Sequence, residues 1–418
     1  MVMENRKANL STISLVLFLL NIVFVGVIVS FILFSDKVEL SEQDYELSSD
    51  NFVKTENTVK NIEGMPDEFA ILGEAWDSLS EIYIDKNELD AEKLSQGAVR
   101  GMIEALDDPY SAYVDPETYE LELSTLKGKY QGIGAYISSR DEILIIVAPM
   151  EGSPAEKAGI KKGDIILEIN GESTDNMSAT EAALKIQGPK GTTVNLLVLS
   201  EDEEQPKEIV VTRDEITLQS VAWEMHDTIA YIKLAGFRQT SGQELFDALK
   251  EITDSGAEGI VLDVRDNPGG LLDAAVSIAN NFLNGGVVVD VVDSDGTHQQ
   301  ISARRGGIAT DIPLVILVND ASASASEVLA GALQDHERAK LIGTMTFGKG
   351  SVQLIHMLED GSALHLTTAR WLTPLGRPIE GVGLTPDIAL EIEDEELVDW
   401  AVKYLEDEVA AQKTVNSA

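Results

Sequence analysis

Three short stretches of this sequence place small and polar residues directly after apolar segments: "DVRDNPGG" (263–270), "NDASASASE" (319–327) and "TFGKGSVQ" (346–353). In open α/β sheets, active residues collect where strands end and helices begin. In the second stretch, small residues separate an apolar strand from a helix. Such a turn can expose a serine hydroxyl while neighbouring backbone N–H groups point the same way. A serine-rich turn taken alone is more often structural, and the alternative is a site in which a serine acts as nucleophile.

A serine hydroxyl is a weak nucleophile until a base takes its proton. None of the three stretches contains histidine, so the Ser-His-Asp arrangement has no obvious base here. A lysine can serve if its amine is neutral, and its reference pKa of about 10.4 must then be lowered by desolvation. Lys349 lies between two glycines and beside apolar strands, which is a suitable environment. We therefore expect Lys349 to be the base.

The segment from Gly343 to Lys349 also has the spacing of a phosphate-binding loop. That loop requires Ser or Thr after the lysine, because the hydroxyl ligates magnesium, and Gly350 stands there. It also requires a helix at this point. Residues 352–371 are instead rich in strand formers around the turn "EDGS" and predict a hairpin. Both requirements fail, so nucleotide binding is disfavoured.

The overall composition excludes several kinds of site and partner. The chain has 418 residues, enough for two or three domains, with 72 Asp plus Glu against 31 Lys plus Arg and a formal net charge of -41. So acidic a surface repels nucleic acid. Cysteine is absent, which excludes disulfides, thiolate nucleophiles and cysteine-based zinc sites. The five histidines are scattered without metal-ligand spacing, so we expect neither a metal nor a cofactor.

An uncharged apolar segment, Leu10–Phe34, lies near the N-terminus. At about 1.5 Å per residue it is long enough to cross a bilayer core of roughly 30 Å. No small-residue cleavage site follows it, which favours a retained transmembrane anchor over a long cleaved signal. Arg6 and Lys7 precede it, so residues 1–9 should stay in the cytoplasm and the remainder should lie outside. Residues 35–62 are polar and acidic, and they predict a linker.

The next two segments differ in their periodicity. Residues 63–128 have helical apolar spacing and predict an N-terminal helical domain. Residues 129–214 have the pattern of short strands and turns. They include a short helix that Ser153 can cap and for which Pro154 suits the first helical position.

Within this second segment, "SPAEKAGIKKGDIILEINGEST" resembles bacterial PDZ domains over more than twenty consecutive positions. In that family a glycine-containing loop captures a C-terminal carboxylate through backbone N–H groups, and the peptide adds as a strand. The alternative is that the glycines only make a tight turn. The residues that match the loop are Gly132, Ile133, Gly134 and Ala135.

From residue 215 to residue 392, strand and helix patterns alternate, which predicts an α/β domain with a mainly parallel sheet. Residues 393–418 form an acidic amphipathic helix and a tail. The predicted fold class is thus an α/β catalytic domain with a mainly parallel sheet, plus a β-rich PDZ domain, an N-terminal helical segment and a transmembrane helix.

From about residue 68 onward, the chain resembles the C-terminal processing peptidases, also called tail-specific proteases, of the Ser-Lys type. The motifs that carry the resemblance are, in order, "LDDPYSAYVDP", the PDZ run, "LDVRDNPGGLLDAAVSIANNFL", "SASASEVLAGALQD", "TFGKGSVQ", "TTARWLTP" and "EGVGLTPDI". The resemblance implies that Ser324 is the nucleophile, Lys349 the general base and Gln353 the residue that orients the lysine amine. The oxyanion donors that it implies are backbone N–H groups of Gly269 or Gly270, and of Ala325.

Together with the predicted anchor, the resemblance implies a single-pass membrane protein with its endopeptidase part outside the cytoplasm, of the kind found on Gram-positive bacterial surfaces. Its partners would be proteins or peptides with free, apolar C-termini and the membrane. The N-terminal helices either pair two copies of the chain or pack within one chain. The alternative is an inactive PDZ scaffold that binds protein C-termini; the presence of the three predicted catalytic residues argues against it. The chain departs from many relatives at Gln187, where Arg is common, and at Asp266, where Asn is common.

Overall fold

The computed structural model describes residues 66–416, apart from residues 141–142, 176, 201–202 and 204. The α-helices of this part are α1 (Ala70–Ile82), α2 (Ala91–Glu104), α3 (Pro116–Lys127), α4 (Pro154–Lys157), α5 (Ala179–Ile186), α6 (Ser241–Asp254), α7 (Leu272–Phe282), α8 (Ala325–Asp335) and α9 (Asp394–Asn416).

The strands in the same part are β1 (Ala112–Val114), β2 (Lys129–Gly132), β3 (Ala135–Arg140), β4 (Ile143–Pro149), β5 (Ile165–Ile169), β6 (Glu172–Ser173), β7 (Thr193–Leu199), β8 (Lys207–Thr212), β9 (Asp214–Thr217), β10 (Val221–His226), β11 (Ile229–Leu234), β12 (Gly259–Asp263), β13 (Gly286–Asp293), β14 (His298–Ala303), β15 (Leu314–Val318), β16 (Lys340–Gly343), β17 (Ser351–Met357), β18 (Ala363–Leu372) and β19 (Ile388–Ala389).

The described chain divides into two compact units. The larger unit contains residues 120–352 and 368–416, and the smaller contains residues 66–119 and 353–367. The larger unit therefore holds two of the predicted chemical centres, the serine turn and the lysine segment as far as Val352.

A six-stranded sheet in the order β10-β11-β12-β15-β16-β19 forms the centre of the larger unit. Only β10 runs antiparallel to its neighbour, so the predicted mainly parallel sheet is confirmed. Strands β12 and β15 are buried along their whole length, because parallel strands are covered on both faces and become almost continuously apolar. Both strands end at the same edge, and "DVRDNPGG" and "NDASASASE" therefore begin side by side.

The C-terminal helix α9 covers one face of this sheet. Its apolar positions Leu397, Ala401 and Leu405 pack in one buried cluster with Val261 and Leu317 of the central strands. The spacing of four residues places the three side chains on one stripe of the helix, which the sequence predicted as amphipathic.

The larger unit also contains an antiparallel arrangement that the sequence reasoning did not anticipate. Strand β13 pairs with β14 as a hairpin, and its Asp290–Asp293 segment pairs with residues 369–372 of β18. The hairpin turn at Asp293–Gly296 is closed by the Asp293 carboxylate, whose Oδ1 accepts from the N–H groups of Asp295 and Thr297.

A separate antiparallel sheet, β3-β4-β5-β7-β8, forms the PDZ domain together with α4 and α5. Its core contains Ile133, Leu144, Ile166 and Leu196, all buried. The predicted cap is present, because Ser153 Oγ accepts from the Glu156 N–H at 3.2 Å and Pro154 occupies the first helical position. This short helix follows directly from local sequence signals.

The smaller unit contains α1, α2, β1 and the β17–β18 hairpin turn. Strand β1 pairs antiparallel with residues 363–365, and Val114, Tyr119 and Ala363 form its small core. Helix α1 has no buried residue within the described chain.

No helix in the described part of the chain is both long and apolar enough to cross a bilayer. The predicted anchor at residues 10–34 and the linker at residues 35–62 lie outside the described residues.

Candidate active site

The turn from β15 into α8 carries the "SASASE" sequence and has a strained backbone. Ser324 lies directly before α8 with φ 53° and ψ -114°. Non-glycine residues rarely adopt positive φ, and such strain is concentrated at functional sites, including the sharp strand-to-helix turns that present a nucleophile. Ser324 is half-buried, whereas Ala323 and Ala325 beside it are buried. The turn therefore leaves one serine reachable between packed neighbours.

The other two serines of the motif hold the turn in place. Ser322 Oγ donates to the Val264 carbonyl at 2.8 Å, and Ser326 Oγ donates to the Asn267 carbonyl at 2.8 Å. Both side chains are buried. Their hydroxyls join the serine turn to the neighbouring "DVRDNPGG" segment, which distinguishes them from Ser324.

The "NPGG" turn packs against the predicted nucleophile. A Cβ atom at Gly269 would lie 2.7 Å from the Ala323 carbonyl oxygen, 2.8 Å from the Ala325 nitrogen and 3.0 Å from Ser324 Cβ. Gly269 also has φ 103°. Only glycine fits this close approach of two backbones.

The hydrogen bonds of this turn separate the predicted oxyanion donors. The Gly269 N–H donates to Asn267 Oδ1 at 3.0 Å, and Asn267 Nδ2 donates to the Leu234 carbonyl at 2.7 Å. The Gly269 N–H is thus already engaged, which favours Gly270 of the two glycines. Ala325 is the first residue of α8, where backbone N–H groups have no partner within the helix.

A buried carboxylate, Glu327, joins the serine turn to the lysine segment. Glu327 Oε2 accepts from the Ser324 N–H at 2.9 Å and from the Lys349 N–H at 2.9 Å. Its Oε1 accepts from Thr346 Oγ1 at 2.6 Å and from the Gly348 N–H at 2.7 Å. One side chain therefore holds the backbones of the predicted nucleophile and the predicted base side by side.

Burial raises the pKa of Glu327, and the four hydrogen bonds oppose that rise. Sequence reasoning assigned this residue no role. A signal was present, since a serine at the helix N-cap followed three positions later by Glu is the spacing of a capping box. That motif explains the contact with Ser324 but says nothing about Lys349, which lies 22 residues further along the chain.

Lys349 is 4% exposed and lies in a segment without regular secondary structure. Its carbonyl accepts from Trp371 Nε1 at 3.1 Å, and the next N–H, of Gly350, donates to Glu380 Oε2 at 2.9 Å. Lys349 is thus largely removed from solvent, as the sequence predicted, and its role as the base stays a prediction.

The glycines on either side of Lys349 are needed for close packing. A Cβ at Gly350 would lie 2.5 Å from the Glu380 nitrogen. Gly348 has φ 92°, and a Cβ there would lie 2.9 Å from the Gly383 nitrogen. The "GKG" sequence is thus explained by backbone packing against residues 380–383 rather than by phosphate binding.

Gln353, the third predicted catalytic residue, belongs to β17 and falls in the smaller unit. It is buried, and its Nε2 lies 3.4 Å from Thr367 Oγ1. Its role in orienting the lysine amine stays a prediction. Among the residues that the structure describes, no group of three or more acidic or histidine side chains could hold a metal ion.

Three family models match this chain. The model for peptidase family S41 matches residues 228–390, that for PDZ domains matches residues 145–200, and that for the N-terminal domain of the activating protease CtpB matches residues 24–118. The carboxy-terminal processing protease CtpA of Bacillus subtilis is 39% identical over 328 residues, which cover 78% of this chain and 70% of that protein. The chain belongs to the carboxy-terminal processing proteases.

The chain is also similar to other processing proteases. The carboxyl-terminal-processing protease of a Synechocystis species is 40% identical over 333 residues, covering 78% of this chain and 77% of that protein. Among solved structures, the photosystem II D1 C-terminal processing protease is 31% identical, with a TM-score of 0.48, and covers 80% of this chain and 97% of its own. The family predicted from the motifs, and the serine peptidase activity that it implies, are confirmed.

The predicted carboxylate loop of the protease connects β2 with β3. The Ile133 carbonyl accepts from the Ala155 N–H at 2.8 Å, and the Gly134 carbonyl accepts from the Met150 N–H at 2.9 Å. Gly134 has φ 75°, and a Cβ there would lie 2.5 Å from Ser153 Cβ. These contacts leave no space for a side chain at position 134. They explain Gly134 equally well if the loop binds a carboxylate and if it only makes a tight turn.

Gln187 and Asp266, the two positions where the sequence was expected to differ from many relatives, have distinct surroundings. Asp266 has φ 58°; its N–H donates to Asn319 Oδ1 at 3.0 Å, and its Oδ1 accepts from Asn319 Nδ2 at 2.8 Å. Gln187 lies against the carboxylate loop, with its Cγ 3.4 Å from a Cβ built at Gly132. The nearby Arg213 donates to the Ile186 carbonyl at 2.6 Å, so its guanidinium makes this contact within the PDZ domain.

Proposed function

We propose that this protease is a membrane-anchored, extracytoplasmic endopeptidase that uses Ser324 and Lys349 and selects chains by their C-terminal residues. The observation that carries the catalytic assignment is the Glu327 carboxylate, which binds the backbone N–H of both residues. The strained φ of Ser324 supports the same assignment.

The mechanism is acyl transfer. Ser324 Oγ attacks the carbonyl carbon of a peptide bond while Lys349 Nζ takes its proton. The N–H groups of Gly270 and Ala325 stabilise the oxyanion, and Gln353 orients the lysine amine. The C–N bond breaks as Lys349 returns the proton to the leaving amine, and water then releases the acyl-enzyme by the same route. The mechanism requires that the lysine amine is uncharged when it accepts the proton.

Cleavage of an unfolded protein by the full-length chain in detergent micelles tests the assignment. Ser324→Ala and Lys349→Ala should each abolish cleavage, while Ser255→Ala and Lys340→Ala, which lie outside the site, should cut like the parent. Retained cleavage in either of the first two variants would refute the mechanism. An inactive parent would instead favour the PDZ scaffold.

Substrate selection is proposed to occur at the loop of Gly132, Ile133, Gly134 and Ala135, with the peptide adding as a strand. Two versions of one unfolded protein, ending in apolar or in acidic residues, should differ in KM, with the apolar tail preferred. Equal KM values for both tails would exclude selection by the C-terminus.

The uncharged length of Leu10–Phe34 and the basic residues before it support anchoring with the protease part outside the cytoplasm. Cell fractionation should place the chain in the membrane, and external protease should digest its C-terminal part in intact spheroplasts. Recovery of the full chain in the soluble fraction would contradict the anchor.

A homodimer is proposed through the N-terminal helices. Helix α1 exposes Ile71, Leu72 and Trp76, which are 61%, 45% and 42% exposed. Apolar side chains grouped on one helix favour association with a second copy. Sedimentation velocity should give a dimer for the parent and a monomer for Trp76→Glu; a monomeric parent would refute this pairing.

A further inference from the structure

Asn267 lies inside the "NPGG" turn and bonds both to its own turn and to the neighbouring strand. The residue is fully buried. Its Oδ1 accepts from the Gly269 N–H at 3.0 Å, and its Nδ2 donates to the Leu234 carbonyl at 2.7 Å, where β11 ends. An asparagine that accepts from the N–H two residues ahead closes an Asx turn. The side chain therefore fixes the turn relative to the end of β11.

The backbone carbonyl of Asn267 contacts the serine turn on both sides of Ser324. It accepts from the Ala323 N–H at 3.1 Å and from Ser326 Oγ at 2.8 Å. One residue thus joins the turn that carries the proposed oxyanion donor to the turn that carries the proposed nucleophile. Glu327 joins the serine turn to the lysine segment, so the connection through Asn267 is independent of that carboxylate.

The Gly270 N–H faces the side of the serine turn. The Gly269 carbonyl accepts from the Phe237 N–H at 2.9 Å, and the peptide bonds of the described residues are trans. In a trans peptide the N–H lies opposite the carbonyl, so the Gly270 N–H points away from Phe237. Strand β12 lies between β11 and β15. Because Phe237 follows β11 and the serine turn follows β15, the side away from Phe237 is the side of the serine turn.

The Asx turn decides which N–H of the "NPGG" turn is available to a ligand. Pro268 has no N–H, and the Gly269 N–H is held by Asn267. The Gly270 N–H makes no hydrogen bond within the described residues, although Gly270 is buried. A buried N–H without a partner costs free energy and is rare in native structures. The Gly270 N–H is therefore the donor that this turn keeps for an oxyanion.

We propose that Asn267 is a positioning residue for the oxyanion hole: its side chain engages the Gly269 N–H and thereby keeps the Gly270 N–H free and fixed for the oxyanion of the acyl transfer. This inference rests on the proposed function of Ser324. Asn267 is fully buried, so it acts through the orientation of the peptide between Gly269 and Gly270. Its loss should weaken the binding of the tetrahedral intermediate and leave the binding of the substrate unchanged.

The test compares Asn267→Ala with Asn267→Ser in the full-length chain in detergent micelles. Both variants lose the bond to Leu234, but a serine hydroxyl can still accept from the N–H two residues ahead. We expect kcat of Asn267→Ala to fall by roughly 10- to 50-fold at unchanged KM. This is less than the loss of an oxyanion donor itself, because Phe237 still holds the Gly269 carbonyl. Asn267→Ser should stay within about 3-fold of the parent, since it keeps that hydrogen bond.

A second measurement separates positioning from general damage to the fold. The acyl side of a peptide that the parent cleaves is made as an aldehyde and as the corresponding alcohol. Ser324 Oγ adds to the aldehyde carbonyl carbon while its proton passes to Lys349, which leaves an oxyanion; the alcohol only occupies the site. In Asn267→Ala the inhibition constant of the aldehyde should rise by the same factor as kcat falls, and that of the alcohol should not change.

Asn281→Ala is the matched control. Asn281 is also buried, and its amide donates to the Ser277 and Ile278 carbonyls of its own helix, α7. Its truncation should lower the urea midpoint and leave kcat and aldehyde inhibition as in the parent. If circular dichroism shows that Asn267→Ala does not fold, Asn267→Leu replaces it, because leucine fills nearly the same volume and also lacks an acceptor.

The outcomes distinguish the inference from the mechanism on which it rests. A normal kcat in folded Asn267→Ala refutes the inference, and so does an equal loss of kcat in Asn267→Ala and Asn267→Ser. Equal losses of aldehyde and alcohol binding would show that Asn267 shapes the site as a whole and does not act on the oxyanion. If the aldehyde fails to inhibit the parent, or if Ser324→Ala still cleaves, the acyl-transfer mechanism falls and the inference falls with it.

Discussion

The serine turn and the carboxylate loop have similar surroundings, but different contacts fix their backbones. Each lies where a glycine with positive φ approaches the start of a helix, with Gly269 of the "NPGG" turn against α8 and Gly134 of the carboxylate loop against α4. At the serine turn, the buried Glu327 carboxylate fixes the backbones of Ser324 and Lys349. At the carboxylate loop, the backbone carbonyls of Ile133 and Gly134 accept from the N–H groups of Ala155 and Met150. The loop is thus held by backbone contacts, whereas the serine turn is held by a buried carboxylate that fixes its backbone before a substrate arrives.

The largest effect is expected at Glu327. In Glu327→Gln, an amide NH2 would face backbone N–H groups that now meet a carboxylate oxygen, so the backbones of Ser324 and Lys349 would separate. We expect kcat to fall by about 10³-fold, comparable with the loss of a preorganised oxyanion donor.

The matched control is Glu244→Gln. Glu244 also accepts from two backbone N–H groups, those of Ser220 and Val221, and from Thr240 Oγ1, but it contacts neither predicted catalytic residue. Both variants should lower the urea midpoint, and only Glu327→Gln should lower kcat of the folded enzyme. Equal kcat values for the two variants would show that Glu327 is merely structural.

The second-largest loss of activity is expected at Gly269. The Cβ of Gly269→Ala would collide with the backbone of Ala323 and Ala325, which cannot move without moving the nucleophile. We expect kcat to fall by about 10²-fold with little change in KM, since small misplacements of reacting groups cost that much. Gly159→Ala is the control, because Gly159 has φ 86° but no atom within 4 Å of its Cβ position. Steady-state kinetics on one peptide would compare them, and a normal kcat in Gly269→Ala would contradict the close approach.

Gly134→Ala tests the carboxylate loop, the second region of the comparison. Its Cβ would meet the Ser153 side chain, and its positive φ would be strained, so the loop N–H groups would be displaced. We expect KM for apolar-tailed substrates to rise by about 10-fold, which corresponds to roughly one lost hydrogen bond, while kcat stays near that of the parent. A fall in kcat without a change in KM would mean that the loop acts on the catalytic turn and not on the substrate.

The smallest effect is expected at Asp266. Asn adopts positive φ readily, and its Oδ1 can still accept from Asn319. Asp266→Asn should therefore change the free energy of unfolding by no more than about 0.5 kcal/mol. Asp266→Ala removes the side-chain hydrogen bond with Asn319 and should lower the free energy of unfolding, measured with urea, by about 1 kcal/mol. A larger loss in Asp266→Asn would show that the charge itself stabilises this turn.

The elements that the sequence predicts well are those with local signals. Ser153 and Pro154 mark the start of α4, and the apolar runs of β12 and β15 indicate strands buried on both faces. The β13–β14 hairpin was missed, although Asp293 closes its turn, because its pairing with residues 369–372 joins segments far apart in the chain.

The candidate site residues also differ in whether a local sequence signal identifies them. Ser324 and Lys349 were identified by residue type and motif, and Glu327 has a readable link only to Ser324. Its second link, to Lys349, depends on the meeting of two loops, which no local pattern encodes.

The contacts of Trp371 make it a natural optical probe. Trp371 is buried, its indole donates to the Lys349 carbonyl, and its backbone N–H donates to the Gly350 carbonyl. The other three tryptophans, Trp76, Trp223 and Trp400, all reach solvent. The blue-shifted part of the intrinsic fluorescence therefore comes from the residue that contacts the predicted base. Its emission wavelength would report, in unlabelled enzyme and in real time, whether the lysine segment is seated while a substrate binds.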